Sequence, residues 1–311
     1  MRALSVRAGL VGKAPCQPDF LRINAASPLA FQLQRWLVEG VEAARAARCE
    51  LPSGTASFLF TAPKAKNVLL GVFAPSTDGV GRAFPLALFT ELPATTAAHR
   101  LALLPMVFHP FLTEGAALLD AAASLALPVL TARVDALPFP PSGAFSEAER
   151  LWRGTLARRR GAELLEPLRR PEDPPGGAYY AFHTFRTACA GEQHRQQGTA
   201  QVVLECPIAP GLGPSAWLEL ATRLLHWTSS PPAFIWSGAP EPRLLLCLGA
   251  MTPDLFLHLS RTNQGGRRVW PLRTPREAAI GQATQALTEP QRQRIDSPTT
   301  NLEELLHALS C

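Results

Sequence analysis

The chain has 311 residues, 47% of them hydrophobic and 18% charged. That is length for one large domain or two medium ones, which bury roughly 75% of their unfolded surface without a metal or disulfide staple, so a disordered chain, a coiled coil and a collagen are excluded. The formal net charge of +5 rests almost wholly on arginine, with only three lysines, and the basic runs Arg158-Arg159-Arg160 and Arg267-Arg268 are too short for a nucleic-acid stripe.

Thirty prolines predict short elements and stiff loops. The first helix is predicted over residues 28–48. Ser27 supplies a cap and Pro28 fits the first helical position, while Leu29, Leu33, Trp36, Leu37, Val41 and Ala44 share one face. Pro52 and Gly54 end it. Strands are predicted at 57–60, 68–73 and 84–89. The loop Pro75-Ser76-Thr77-Asp78-Gly79 makes the last two an antiparallel pair, and Pro85 marks a strand start or an edge. Residues 101–126 read as helix broken near Pro105 and Pro110. The longest apolar region, 115–132, holds Asp120, Ser124 and Pro128, which fits a buried helix and turn, not a membrane span.

Residues 137–143 form a proline-rich connector. Ser146-Glu147-Ala148-Glu149 is a capping-box pattern ahead of a helix reaching about Arg160. Residues 170–177 read as a loop or hinge, 201–206 as a strand, 214–227 as a helix, and 233–236 and 243–248 as strands. Thr252-Pro253 opens a short helix with Leu255, Phe256 and Leu259. Residues 261–274 are polar, and Thr274-Pro275-Arg276-Glu277 and Thr300-Asn301-Leu302-Glu303 suggest capping boxes for helices near 275–287 and 301–309. The fold expected is α/β (α+β), a mixed or antiparallel sheet flanked by helices, with a main domain over 1–260 and a C-terminal helical extension over 261–311 that docks on the body or on a partner.

Most catalytic motifs fail on spacing. A phosphate loop at Gly12-Lys13 would need glycine where Arg7 stands and Ser or Thr where Ala14 stands. Gly211-Leu212-Gly213-Pro214 lacks the third glycine of a dinucleotide fingerprint, and there is no GxSxG or HExxH. His183, Cys189 and His194 lack a fourth ligand and a finger spacing, so no metal and no cofactor is expected. Six unpaired-looking cysteines and no secretory signal point to reduced thiols and a cytoplasmic location.

Two polar groups remain. Lys13 leads to Asp19 and Arg22, and Ser76 and Asp78 lead to Arg82. One reading is architectural: Asp19 caps the chain ahead of the first helix, Ser76 and Asp78 close an Asx-type turn, and Asp78 pairs with Arg82. The other is a shared polar patch for a partner at one end of the sheet, made of Lys13, Asp19, Arg22, Ser76, Asp78 and Arg82. Arg82, Trp36 and Trp236 are the candidate anchors, although tryptophans on amphipathic elements belong to cores more often than to interfaces.

These residues carry a resemblance. Gly12-Lys13-Ala14-Pro15, Asp19-Phe20-Leu21-Arg22 and Trp36-Leu37 resemble the opening of the TagF family of type VI secretion accessory proteins. The stretch from Gly71-Val72-Phe73-Ala74-Pro75 through Ser76-Thr77-Asp78-Gly79-Val80-Gly81-Arg82 to Ala83-Phe84-Pro85-Leu86 is similar to that family's most specific block. Pro232-Ala233-Phe234-Ile235-Trp236-Ser237-Gly238 and Leu245 to Met251, then Phe256, resemble its closing strands and helix. The resemblance runs from about residue 9 to 260 and leaves out the segment from Arg261. It implies a longin-like sandwich and a non-enzymatic, cytoplasmic repressor of type VI assembly that binds a forkhead-associated-domain scaffold, with no nucleic acid and no membrane insertion. The alternatives are a hydrolase using Asp19, Ser76 and Asp78, or a GTPase-binding longin-like module.

Overall fold

The computed structural model describes residues 7–169, 174–193, 202–227, 230–238, 241–249, 251–260, 266, 268–273 and 276–311. The chain opens with β1 (Ala8–Gly12), β2 (Leu21–Ile23) and α1 (Pro28–Ala46), followed by β3 (Ala56–Phe60), β4 (Asn67–Ala74) and β5 (Leu86–Pro93). Helices α2 (Ala94–His99), α3 (Leu104–Val107), α4 (His109–Ala121), α5 (Leu127–Asp135), α6 (Ala144–Arg158), α7 (Gly161–Leu165) and α8 (Gly177–Gln193) come next. The remainder alternates: β6 (Val202–Pro207), α9 (Ser215–Leu225), β7 (Ala233–Ser237), β8 (Arg243–Leu248), α10 (Leu255–Ser260) and β9 (Val269–Pro271). Three helices close it, α11 (Glu277–Ala286), α12 (Glu289–Asp296) and α13 (Leu302–Ser310). Among the described residues the strands form one sheet in the order β2-β1-β5-β4-β3-β7-β8-β6-β9. Its pairings are antiparallel apart from the parallel β6–β9 pair, so the class is the mixed α/β (α+β) sandwich expected from the sequence.

Strand periodicity creates two cores. In β4, Val68, Leu70, Val72 and Ala74 face a core shared with α2, α4, α9 and α13, whereas Leu69 and Phe73 face a second core built on α1 and α10. Both faces are covered, so the strand reads as a nearly continuous apolar run, and a one-residue slip would exchange its two sets of side chains. Gly71 sits between Leu69 and Phe73 on the α1 face, where a Cβ would fall on the Leu88 carbonyl and 2.8 Å from Phe89 Cα. Gly71→Ala is expected to lower stability by about 1–3 kcal/mol through overpacking. An unchanged urea midpoint would contradict that close approach.

The first helix forms as its sequence dictates. The Ser27 hydroxyl accepts from the Ala30 amide at 3.2 Å, and Pro28 occupies the first turn. Trp36 is buried, packs edge-on against Phe256 at 5.5 Å and donates its indole N–H to the Thr252 carbonyl at 3.0 Å, which makes it a core residue. Trp236 is half-buried beside Phe234. The prolines at 105, 110 and 128 each stand in the first turn of α3, α4 and α5, where the missing N–H has no helical partner to lose.

Several local expectations need correction. Helix α6 starts at Ala144, after Gly143 in the left-handed region, so Ser146 lies inside the first turn and its capping box does not form; the box's glutamate, Glu149, pairs instead with Arg153. Asn301, not Thr300, caps α13, accepting from the Glu304 amide at 2.8 Å. The box at Thr274-Pro275, the residues 170–173 of the expected hinge, and Gln201, His194 and Arg267 lie outside the described residues. The segment that carries His183 and Cys189 is one helix, α8, which runs on to Gln193. The polar stretch 261–274 contains β9, and α12 was not anticipated.

The C-terminal elements share the first core. Leu302, Leu305, Leu306 and Leu309 of α13 are fully buried there, and Leu302 N donates to the Arg159 carbonyl at 2.8 Å. Among the described residues no single helix is long and apolar enough to cross a membrane. The bent pair 101–107 and 109–124, at 58° to one another, meets a length and composition test together, and its apolar residues Phe108, Phe111, Leu118 and Leu119 are buried in that core.

Candidate functional site

Two loops meet at one end of the sheet. The first leaves β1 at Gly12, whose φ of 134° turns the chain and whose missing Cβ makes room for the Pro85 carbonyl. The second joins β4 to β5 through residues 75–85. Asp78 lies between them with its side chain fully buried. Lys13 Nζ donates to Asp78 Oδ2 at 2.8 Å, and Arg82 Nε donates to the same oxygen at 2.6 Å. Oδ1 accepts the backbone amides of Val80 at 3.1 Å and Arg82 at 2.8 Å, the first of which closes an Asx-turn.

Burial works to raise the pKa of this carboxyl. The hydrogen bonds from Lys13, from the amide and guanidinium of Arg82 and from the Val80 amide outweigh it, and hold Asp78 well below the usual carboxylate range. Asp78 therefore stays ionised, with its lone pairs taken up inside the molecule.

Further contacts join the loops around this carboxylate. The Gly79 amide donates to the Gln17 carbonyl at 3.0 Å, and Arg82 Nη2 donates to the Pro18 carbonyl at 2.9 Å. Phe20 meets Phe84 edge-to-face at 5.0 Å, and Lys13 Nζ lies 5.3 Å from the Phe20 ring centre. From α1, Arg45 donates to the Ala83 carbonyl at 3.2 Å. Phe20 and the loop tip Val80 remain exposed, Val80 at 66%.

The six sequence-selected residues divide into groups. Lys13, Asp78 and Arg82 form one ionic cluster. Ser76 contributes mainly backbone: its carbonyl accepts from Phe84 at 2.9 Å, while its hydroxyl points weakly to the Thr77 carbonyl at 3.5 Å. Asp19 does not cap the chain before α1, because Ser27 does. It is exposed next to Pro18, and its carboxylate shares no hydrogen bond with Asp78. Arg22 turns away on β2, donating from Nε to Gln34 Oε1 at 2.6 Å and lying 4.6 Å from the Phe31 ring centre. Asp19, Phe20 and Arg22 line an open groove of about 730 Å³ between α1 and α5.

Sequence reasoning passed over Gln17, Phe20, Gln34 and Phe31. No local pattern marks them; Gln34 and Phe31 gain their role only where α1 faces β2.

The other polar groups lead elsewhere. His183, Cys189 and His226 line a cleft of about 480 Å³, and among the described residues no group of three or more His, Cys, Asp or Glu is placed to hold a metal ion. Burial, with a smaller push from Glu192, raises the Cys189 thiol to about 12, so it is protonated at neutral pH. In the arginine run, Arg159 pairs with Glu163 at 2.7 Å at the α6–α7 junction.

Comparison with known proteins places this end of the molecule. No curated protein sequence matches the chain significantly. Among solved structures, the chain is similar to PA0076 from Pseudomonas aeruginosa PAO1, with 18% identity and a TM-score of 0.49 over 83% of this chain and 96% of that one. Residues 9–137 match the model of the TagF N-terminal domain, described as type VI secretion system-associated. That match contains β1 to α5 and all six sequence-selected residues, so residues 9–137 of the chain match the TagF N-terminal domain, a type VI secretion system-associated family.

Proposed function

We propose that this protein is a non-enzymatic accessory protein of bacterial type VI secretion, acting in the cytoplasm as a post-translational repressor by binding a forkhead-associated-domain scaffold. One observation carries the reading. The buried Asp78 carboxylate locks two loops whose outer surface presents Phe20, Val80 and the half-exposed Arg82 guanidinium. An aromatic, an aliphatic tip and an arginine within a polar rim are the composition of an interface centre. The chemistry at the cluster supports binding over catalysis. Asp78 has its lone pairs occupied, and the Ser76 hydroxyl lies against a carbonyl, not a base. The groove beside the loops, with Asp19 and Arg22, belongs to the same surface.

Co-purification with the scaffold tests this reading. Phe20→Ser and Val80→Asp are each expected to weaken scaffold binding about tenfold or more, as central interface positions do; Val80→Asp should leave the melting temperature little changed, while Phe20→Ser also gives up the Phe84 contact and lowers it modestly. Binding that is equal for wild type and both variants would contradict it.

A further inference from the structure

The sheet ends beside the loop pair in an uncovered strand. β2 pairs with β1 through Leu10–Ile23, Val11–Arg22 and Gly12–Leu21, and among the described residues no strand pairs with its other side. An edge strand presents backbone N–H and C=O groups ready to pair with another chain. The groove of about 730 Å³ opens against this edge. Leu21, Arg22 and Ile23 all line it, although neighbours in a strand point to opposite faces. A groove touched by both sets follows the edge of the strand. Its walls agree: Gln34 comes from α1, which packs on one face of the sheet, and Leu127 comes from α5, which packs on the other.

One cation is held ready in this groove. Gln34 and the Phe31 ring fix the plane of the Arg22 guanidinium, and among the described residues its terminal amino nitrogens have no partner within the chain. A guanidinium ordered on one edge and open on the other suits a carboxylate, which it binds with two parallel hydrogen bonds. Beside the groove, Lys13 and Arg82 stand against the one buried carboxylate of Asp78, while Asp19 is the one acidic residue that lines it.

We propose that β2 is a docking edge for an extended acidic segment of a partner protein, which adds to the sheet alongside β2 and sets a carboxylate against Arg22. A helix laid in the groove would leave the β2 backbone unpaired, whereas an added strand satisfies it and still places alternate side chains on the two walls. The proposal rests on reading this end of the molecule as a partner surface, and it specifies the form and charge of what binds there.

The probe is a random twelve-residue peptide library, displayed on phage and selected against the full chain. Enriched peptides are remade with and without N-methylation of alternate backbone amides. The expected result has four parts. Enriched peptides carry Asp or Glu; N-methylation of the pairing amides weakens binding at least tenfold; Arg22→Glu does the same while Arg22→Lys retains part of it; and bound peptide slows amide exchange at residues 21–23. No enrichment, enrichment without acidic residues, or binding indifferent to Arg22→Glu and to N-methylation would overturn the proposal. Scaffold co-purification is scored separately with Phe20→Ser and Val80→Asp. Loss of the scaffold reading with acidic peptides still bound, and loss of peptide binding with the scaffold still bound, are therefore distinct results.

Discussion

Replacing Arg243 with alanine is expected to lower the unfolding free energy by about 3–5 kcal/mol, the cost of removing one member of a buried ion pair. Arg243 opens β8 and meets Glu205 of β6 at 2.6 Å, each side chain only 4% exposed. Pro207 stands opposite Arg243 in the register, so Glu205 is two residues along β6 on the same face of the sheet. The guanidinium also donates to the carbonyls of His258 at 2.8 Å and Leu259 at 2.7 Å. These belong to the last turn of α10, where carbonyls lack helical donors and a cation is favoured. Alanine would take the guanidinium away from a buried carboxylate and from two helix-end carbonyls at once. The paired change Arg243→Met with Glu205→Leu removes both charges, and is expected to recover most of the loss, because a buried pair gains little over well-packed apolar groups. Urea unfolding of the three chains decides the matter. A single variant as stable as wild type, or a double variant no better than the single, would contradict this role.

Asp78→Asn is expected to release the two loops from each other. The side chain keeps its shape and loses its charge, so Lys13, only 12% exposed, is left beside a neutral amide. The melting temperature is expected to fall on the order of 5 °C for a chain of this size. The pH dependence follows from the direction of the shift. The folded pKa of Asp78 lies below the unfolded value of about 3.9, so its contribution is complete above that value and disappears as pH falls through the folded pKa. The gap in melting temperature between wild type and Asp78→Asn should therefore be constant from neutral pH down to about pH 5 and shrink below about pH 4. A gap that widens in acid would show that the carboxylate is not stabilised by its neighbours.

The amino-acid pattern made the central strands and α1 legible, because each carries enough residues for its period to show. The run from Val68 to Phe73 is apolar on both faces, and Ser27-Pro28 announces a helix start. The short edge strands were hidden: β2 and β9 have three residues each, and β1 contains two glycines. Helix α8 was readable in principle, since Ala178, Ala181, Phe182, Phe185, Ala188 and Cys189 fall at helical spacing and are all buried.

The candidate site was legible in part for a physical reason. Asp78 and Arg82 are four residues apart in one turn, so their pairing is a local matter. Lys13 lies 65 positions from Asp78, and the polar patch that grouped the two named no ion pair between them. The separate fates of Asp19 and Arg22 depend on Ser27 capping α1 and on Gln34 and Phe31 facing β2, which no local pattern encodes.

Calorimetric titration of the forkhead-associated-domain scaffold into wild type, Asp78→Asn and Leu151→Ser shows whether the locked loops are the partner surface. Leu151 is an exposed residue on α6, outside the loop pair, and serves as the control. Wild type and Leu151→Ser should bind alike, and Asp78→Asn should bind at least tenfold more weakly while still folded at the temperature of the titration. Equal affinity for all three chains would contradict this, since the locked loops would then not be the surface that the partner recognises.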